Sequence, residues 1–113
     1  MARVFGMHTI ALHPGVKAAD FEKFAREERP KTFAGQNIYV LKGDRGDREG
    51  KYLYMIEFPS EEARDRIFPR DVPLSPEGQQ AMAEIGPLIE KWGSMATPMD
   101  LSISTDYAVL GSV

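Results

Sequence analysis

Residues 51–58 read Lys-Tyr-Leu-Tyr-Met-Ile-Glu-Phe, an almost unbroken run of apolar and aromatic side chains. Its composition and its length of eight residues favour a β-strand. Pro59-Ser60-Glu61-Glu62 follows directly, and a serine with two acidic residues behind it is typical of a helix start. Successive side chains of a strand point to opposite faces, so this strand has apolar residues on both faces.

Three elements and a loop are predicted before this strand, each bounded by turn or helix-breaking residues. In chain order they are a strand over residues 4–13, an amphipathic helix over 17–29, a strand over 36–43 and a solvated hairpin loop over 44–50.

The remaining elements lie between prolines. A short helix is expected from Ser60 to Pro69, and an irregular, proline-rich bridge over residues 69–76. Ser75-Pro76-Glu77 indicates the start of another helix, which Gly86-Pro87 should interrupt. Weak alternation of apolar and polar residues over 98–110 predicts a last strand.

The order of elements is therefore strand, helix, strand, strand, helix, strand. Two right-handed crossovers would place both helical segments on the same face of the sheet. This order predicts a single α+β domain over residues 1–113, with a four-stranded antiparallel sheet in the ferredoxin-like β-α-β-β-α-β arrangement.

Because both helical segments lie on one side of the sheet, the other side is left uncovered. That side would expose Phe5, Met7, Leu53 and Met55 together, an apolar patch that is large for a monomer. Burial of apolar surface favours association, and the simplest solution is a second copy with twofold symmetry. We therefore expect a homodimer that packs sheet against sheet.

Composition excludes several classes of function. The 113 residues have a net charge of −3, which argues against a surface that binds nucleic acid. The sequence has no cysteine, which excludes a disulfide and a thiol nucleophile. No apolar run approaches the ~18 residues of a membrane span, and no secretion signal is recognised, so a cytoplasmic protein is expected. His8 and His13 are five residues apart on one predicted strand and hence on opposite faces, so they cannot bind one metal ion together. No metal or other cofactor is predicted.

Two segments resemble the dimeric α+β barrel superfamily, in particular small stress-responsive and antibiotic-biosynthesis-monooxygenase-like proteins. The first segment is His8-Thr9-Ile10-Ala11-Leu12-His13-Pro14-Gly15-Val16, which is similar to their strand entering a Pro-Gly-Val turn. The second runs from Tyr52 to Ala63 and is similar to their strand ending in Glu-Phe before a serine-capped helix. These motifs identify a fold and leave the chemistry open.

The resemblance implies a pocket between the sheet and the helices of each subunit. Carried onto this chain, it would be lined by His8, Tyr52, Tyr54 and Ile56 from the strands and by Phe24, Glu28, Ile85 and Trp92 from the helices. A histidine on an apolar strand face can act as an acid or base near neutral pH, and Glu28 could pair with it.

Four functions remain open at this point. The first is a homodimer that binds a small apolar or aromatic molecule. The second is a cofactor-free monooxygenase or cyclase, with His8 as the base and Tyr54 as the hydrogen-bond donor. The third is a haem protein with His8 as axial ligand, and the fourth is a purely structural dimer.

Overall fold

A computed structural model of the chain describes residues 3–70, 74–97 and 105–111. Within these ranges the architecture is α+β, as predicted. The elements are β1 (Val4–Ile10), α1 (Ala18–Glu27), β2 (Thr32–Phe33), β3 (Gln36–Lys42), β4 (Tyr52–Phe58), α2 (Glu61–Ile67), α3 (Pro76–Glu84), α4 (Gly86–Met95) and β5 (Thr105–Ala108).

The sheet has five antiparallel strands in the order β2-β3-β4-β1-β5, so the predicted number of four is wrong. The additional strand, β2, arises because Ala34 and Gly35 both have positive φ, 50° and 81°, and reverse the chain within two residues. Alanine seldom adopts such a φ, and the sequence therefore carries little signal for this hairpin. The last predicted strand is described only as β5, since residues 98–104 lie outside the described ranges.

The first strand ends earlier than predicted, at Ile10 instead of residue 13. Beyond Ile10 the backbone forms hydrogen bonds with the last residue of α4 and with Thr97. The amide of Ala11 donates to Thr97 Oγ1 at 3.1 Å, and the amide of His13 donates to the carbonyl oxygen of Met95 at 2.9 Å. These bonds satisfy the amides of Ala11 and His13 outside the sheet.

The predicted helix starts are confirmed. Ser60 Oγ accepts a hydrogen bond from the amide of Ala63 at 3.1 Å, and Ser75 Oγ accepts one from the amide of Gly78 at the same distance. The predicted interruption of the helix near Gly86-Pro87 is confirmed as well, because Ile85 separates α3 from α4.

One face of the sheet packs against the helices and forms the core. Its centre is Trp92, which has no exposed surface and meets the rings of Phe21, Phe24 and Tyr54 edge-on at centroid distances of 6.1–6.2 Å. The indole Nε1 donates to the carbonyl oxygen of Thr97 at 2.9 Å, so the single polar atom of this side chain is satisfied.

The opposite face, here called the open face, has no buried side chain among the described residues. The strand register places Met7 beside Met55 and Leu53 beside Leu41. The described strand residues of the open face are Phe5, Met7, Thr9, Thr32, Asn37, Tyr39, Leu41, Leu53, Met55, Glu57, Thr105 and Tyr107. Phe5, Met7, Leu53 and Met55 therefore share one face, as predicted.

The aromatic core predicts the effect of a truncation. Phe21→Ala should lower the free energy of unfolding by about 3–5 kcal/mol, because it opens a cavity beside Trp92. Urea unfolding followed by Trp92 fluorescence measures this loss. Leu110→Ala is the control, since Leu110 is 91% exposed and its truncation should change stability by less than ~0.5 kcal/mol. A similar loss for both variants would contradict this description of the core.

Candidate functional site

Several residues that were predicted to line a ligand pocket lie in the core. Phe24, Tyr54 and Trp92 are at most 1% exposed and contact one another through the aromatic cluster. Ile56 is buried on the same face of β4. Ile85 is half-buried at the junction of α3 and α4. The structure thus gives these side chains packing partners within the chain.

His8 is half-buried on the helix-covered face of β1, as predicted. Its ring lies 5.4 Å from the ring of Tyr54, centroid to centroid, at an interplanar angle of 49°. The proposed role of His8 as a catalytic base stays a prediction. Glu28, which was considered as a partner of His8, is exposed and binds Lys91 Nζ at 2.6 Å, and this ion pair links the end of α1 to α4.

Tyr52 is the predicted site residue that reaches an opening in the surface. It is 6% exposed, and its ring packs edge-on against Phe21 at 5.0 Å. Its hydroxyl leaves the core and enters a cleft of about 380 Å3 between α1 and the edge of the sheet. The cleft is lined by Glu22, Ala25, Arg26, Arg29, Lys31, Val40, Leu41, Lys42 and Tyr52.

Glu22 is the centre of the polar contacts in the cleft. Its Oε2 accepts a hydrogen bond from the hydroxyl of Tyr52 at 2.6 Å and another from Lys42 Nζ at 2.9 Å. Its Oε1 accepts one from Arg26 at 3.3 Å. The side chain of Glu22 is 19% exposed, whereas the side chains of Lys42 and Arg26 are 51% and 75% exposed, so these charge-assisted bonds lie at the border between protein and solvent.

The two acidic groups of this cluster are held in opposite protonation states. The hydrogen bonds from Lys42 and Tyr52 lower the pKa of the Glu22 carboxyl below its ordinary value. Burial, together with the hydrogen bond to Glu22 and its charge, raises the pKa of Tyr52 to about 12. Near neutral pH Glu22 is therefore a carboxylate and Tyr52 a hydrogen-bond donor, an arrangement suited to binding a ligand and not to exchanging protons with it.

The cleft is also positively charged. Arg26, Arg29, Lys31 and Lys42 contribute four cations, and Glu22 contributes one carboxylate, which leaves an excess of three positive charges. The whole chain has a net charge of −3, so this region has the opposite sign from the protein as a whole. Local charge of this kind attracts anions.

Apart from Tyr52, the residues of the cleft were not predicted as site residues. The signal was present in the helix period, because Glu22, Ala25, Arg26 and Arg29 follow the i, i+3, i+4, i+7 spacing of one helix face. This stripe runs beside the buried stripe of Phe21 and Phe24. A charged stripe ordinarily faces solvent, and only the position of β3 shows that it borders a cleft.

We compared the chain with models of protein families, with curated proteins and with solved structures, and none of them matches it. Within the described ranges, no three or more His, Asp or Glu side chains are grouped so that they could hold a metal ion. Of the helices described, none combines the length and the apolar character needed to cross a bilayer.

The lowered pKa of Glu22 predicts a pH-dependent contribution to stability. A carboxyl with a lowered folded-state pKa stabilises the fold above its unfolded pKa, and this contribution is lost as the pH falls through the folded pKa. Glu22→Gln should therefore destabilise the protein more at pH ~7 than at pH ~3.

Urea unfolding of the wild type and of Glu22→Gln over this pH range measures the difference. The matched control is Glu27→Gln on the same helix, where the side chain is exposed and lies outside the cleft. An equal loss of stability at both pH values for Glu22→Gln would contradict the assigned contacts.

Proposed function

We propose that the protein is a homodimer of the α+β barrel kind that binds a small molecule in the cleft between α1 and the sheet of each subunit. The observation that carries the proposal is the cleft itself. Its volume of about 380 Å3 falls within the range of small-molecule pockets. The bonded pair of Glu22 and Tyr52 provides fixed polar groups, and Ala25 and Val40 provide an aliphatic wall, the combination that such pockets use.

The order of the four longer strands supports a ferredoxin-like fold. β4 lies between β1 and β3 and is antiparallel to both, so β1 and β3 are parallel and joined through α1. In the same way β1 lies between β4 and β5, whose connection contains α2, α3 and α4. Two split β-α-β units of this kind make up the ferredoxin-like arrangement.

The open face supports the homodimer. Three strands of seven residues and the four residues of β5, with a rise of about 3.3 Å per residue and a spacing of about 4.8 Å between strands, give this face an outline of about 400 Å2. Two copies packed face to face would remove about 800 Å2 of outline from water, and more once the relief of the side chains is included. This area lies at the lower end of specific interfaces, and we therefore expect a dimer that dissociates on dilution.

The carboxylate on the open face, that of Glu57, is compatible with burial. Glu57 is the sole carboxylate among the described residues of that face. It accepts a hydrogen bond from the hydroxyl of Tyr39 at 3.1 Å, and Arg3 lies 3.6 Å from its other oxygen. A carboxylate that already has a cation and a donor within its own chain costs less to bury in an interface.

A charge introduced on the open face tests the dimer. Sedimentation over a micromolar concentration series should give a wild-type mass that rises from 12.7 kDa towards twice that value. Met55→Glu should remain at 12.7 kDa throughout, because the interface would have to bury an unpaired carboxylate.

Leu110→Glu is the matched control, since it introduces the same charge at an exposed position outside the open face. Near-UV circular dichroism of Trp92 checks that each variant is folded, and Leu53→Lys replaces Met55→Glu if the latter is not. A wild type that stays monomeric over the whole series would overturn the dimer, as would a folded charge variant that still associates.

A steric block tests binding in the cleft. Ala25→Phe should fill part of the cleft and weaken the binding of small aromatic fragments by about tenfold or more, since overlapping atoms exclude the ligand. Ala19→Phe adds the same ring to an exposed position of the same helix and should have no effect. The measurement is a titration followed by the backbone amide signals of Ala25, Val40 and Lys42 in 1H–15N NMR spectra. If no member of a broad fragment library shifts these signals, the proposed function fails.

A further inference from the structure

We propose that the ligand of this cleft is a small organic anion, with a carboxylate or phosphate head bound by the cations and an apolar remainder against the aliphatic wall. This inference rests on the proposed function and adds the class of ligand. It is carried by three features of the cleft: its unsatisfied positive charge, the direction of the backbone amides of β3, and the division of the walls into a cationic and an aliphatic part.

The first feature is an excess of donors over acceptors. Glu22 has two oxygens, which already accept from Arg26, Lys42 and Tyr52. Lys31 is exposed and forms no ion pair within the described ranges. Arg29 donates one of its five N–H groups, to the carbonyl oxygen of Pro30 at 3.3 Å. Both side chains therefore keep donors for a bound anion.

The second feature is the free edge of β3. The amide of Ile38 points away from β4, since it donates to the carbonyl oxygen of Lys31 at 2.9 Å. Alternate residues of a strand present their N–H groups to the same side, so the amides of Val40 and Lys42 point the same way. Val40 and Lys42 line the cleft, and β2 pairs only with Gln36 and Asn37. Two backbone N–H groups thus add neutral donors to the cationic side chains.

The third feature sets the size and the shape of the ligand. At about 30 Å3 for each water-sized group, a cleft of about 380 Å3 holds about twelve non-hydrogen atoms. The side chains of Ala25 and Val40 offer no hydrogen bond to that ligand. A head of three or four atoms on the cations therefore leaves an apolar remainder of about eight atoms, the size of a phenyl group with a short linker.

A pair of isosteric probes tests the charge of the ligand. We expect 4-phenylbutyrate to shift the amide signals of Val40 and Lys42 in NMR titrations of the full chain, and its neutral amide, 4-phenylbutyramide, to bind about tenfold more weakly, because it loses hydrogen bonds to charged groups. Phenyl phosphate forms a second arm and shows whether the cleft prefers a phosphate or a carboxylate head. Tighter binding of 4-phenylbutyrate than of its amide supports the inference.

Charge variants show whether the attraction is local. The double variant Arg29→Gln/Lys31→Gln leaves the contacts of Glu22 intact and should weaken the binding of the preferred anion by about tenfold or more. The matched control, Lys17→Gln/Lys23→Gln, removes the same charge from exposed positions outside the cleft and should leave the affinity within about twofold.

The possible failures are distinct. Equal binding of 4-phenylbutyrate and its amide at the cleft would overturn the anion inference and leave the proposed function in place. An equal loss of affinity in both double variants would overturn it too, since the effect would then come from net charge alone. No shift of the cleft amides with any probe would overturn the inference and count against the proposed function as well.

Discussion

The central strand β4 has apolar side chains on both of its faces, whereas the described helices pack on only one. Tyr52, Tyr54, Ile56 and Phe58 are buried beneath the helices, and Leu53 and Met55 point the other way. A strand in the middle of an antiparallel sheet cannot turn one set of side chains inward without turning the alternate set outward. Within the described residues, the fold therefore buries one face of β4 and leaves the open face without a fully buried side chain.

The same sheet explains the position of the cleft. β2 is only two residues long, so the edge of β3 beyond it lies open next to α1. An open edge invites pairing with other chains, and charged side chains beside an edge oppose such pairing. Lys31 and Lys42 lie at this edge, so the same cations can both discourage strand addition and hold a small anion. This dual role links the architecture of the sheet to its proposed chemistry.

The sequence was sufficient for most of the fold because its signals are local. Serine caps at 60 and 75, the break at Gly86-Pro87 and the apolar run of residues 51–58 all depend on neighbours within a few positions. β2 was missed because its turn uses an alanine in a conformation that alanine rarely adopts. The cleft was missed for a different reason: it joins residues 22–31 to residues 40–52, and single-sequence patterns do not report which charged stripe meets which strand edge.

The core and the cleft meet at Tyr52 of β4, which contacts two neighbouring side chains of α1. Phe21 lies in the core and packs edge-on against Tyr52, and its neighbour Glu22 accepts the hydroxyl of the same tyrosine. The ring of Tyr52 is therefore held by the core while its hydroxyl is held in the cleft, so neither end can rotate without breaking a contact. Because the Tyr52 hydroxyl and the Glu22 carboxylate are held in place before a ligand arrives, binding would not carry the entropic cost of ordering these two groups.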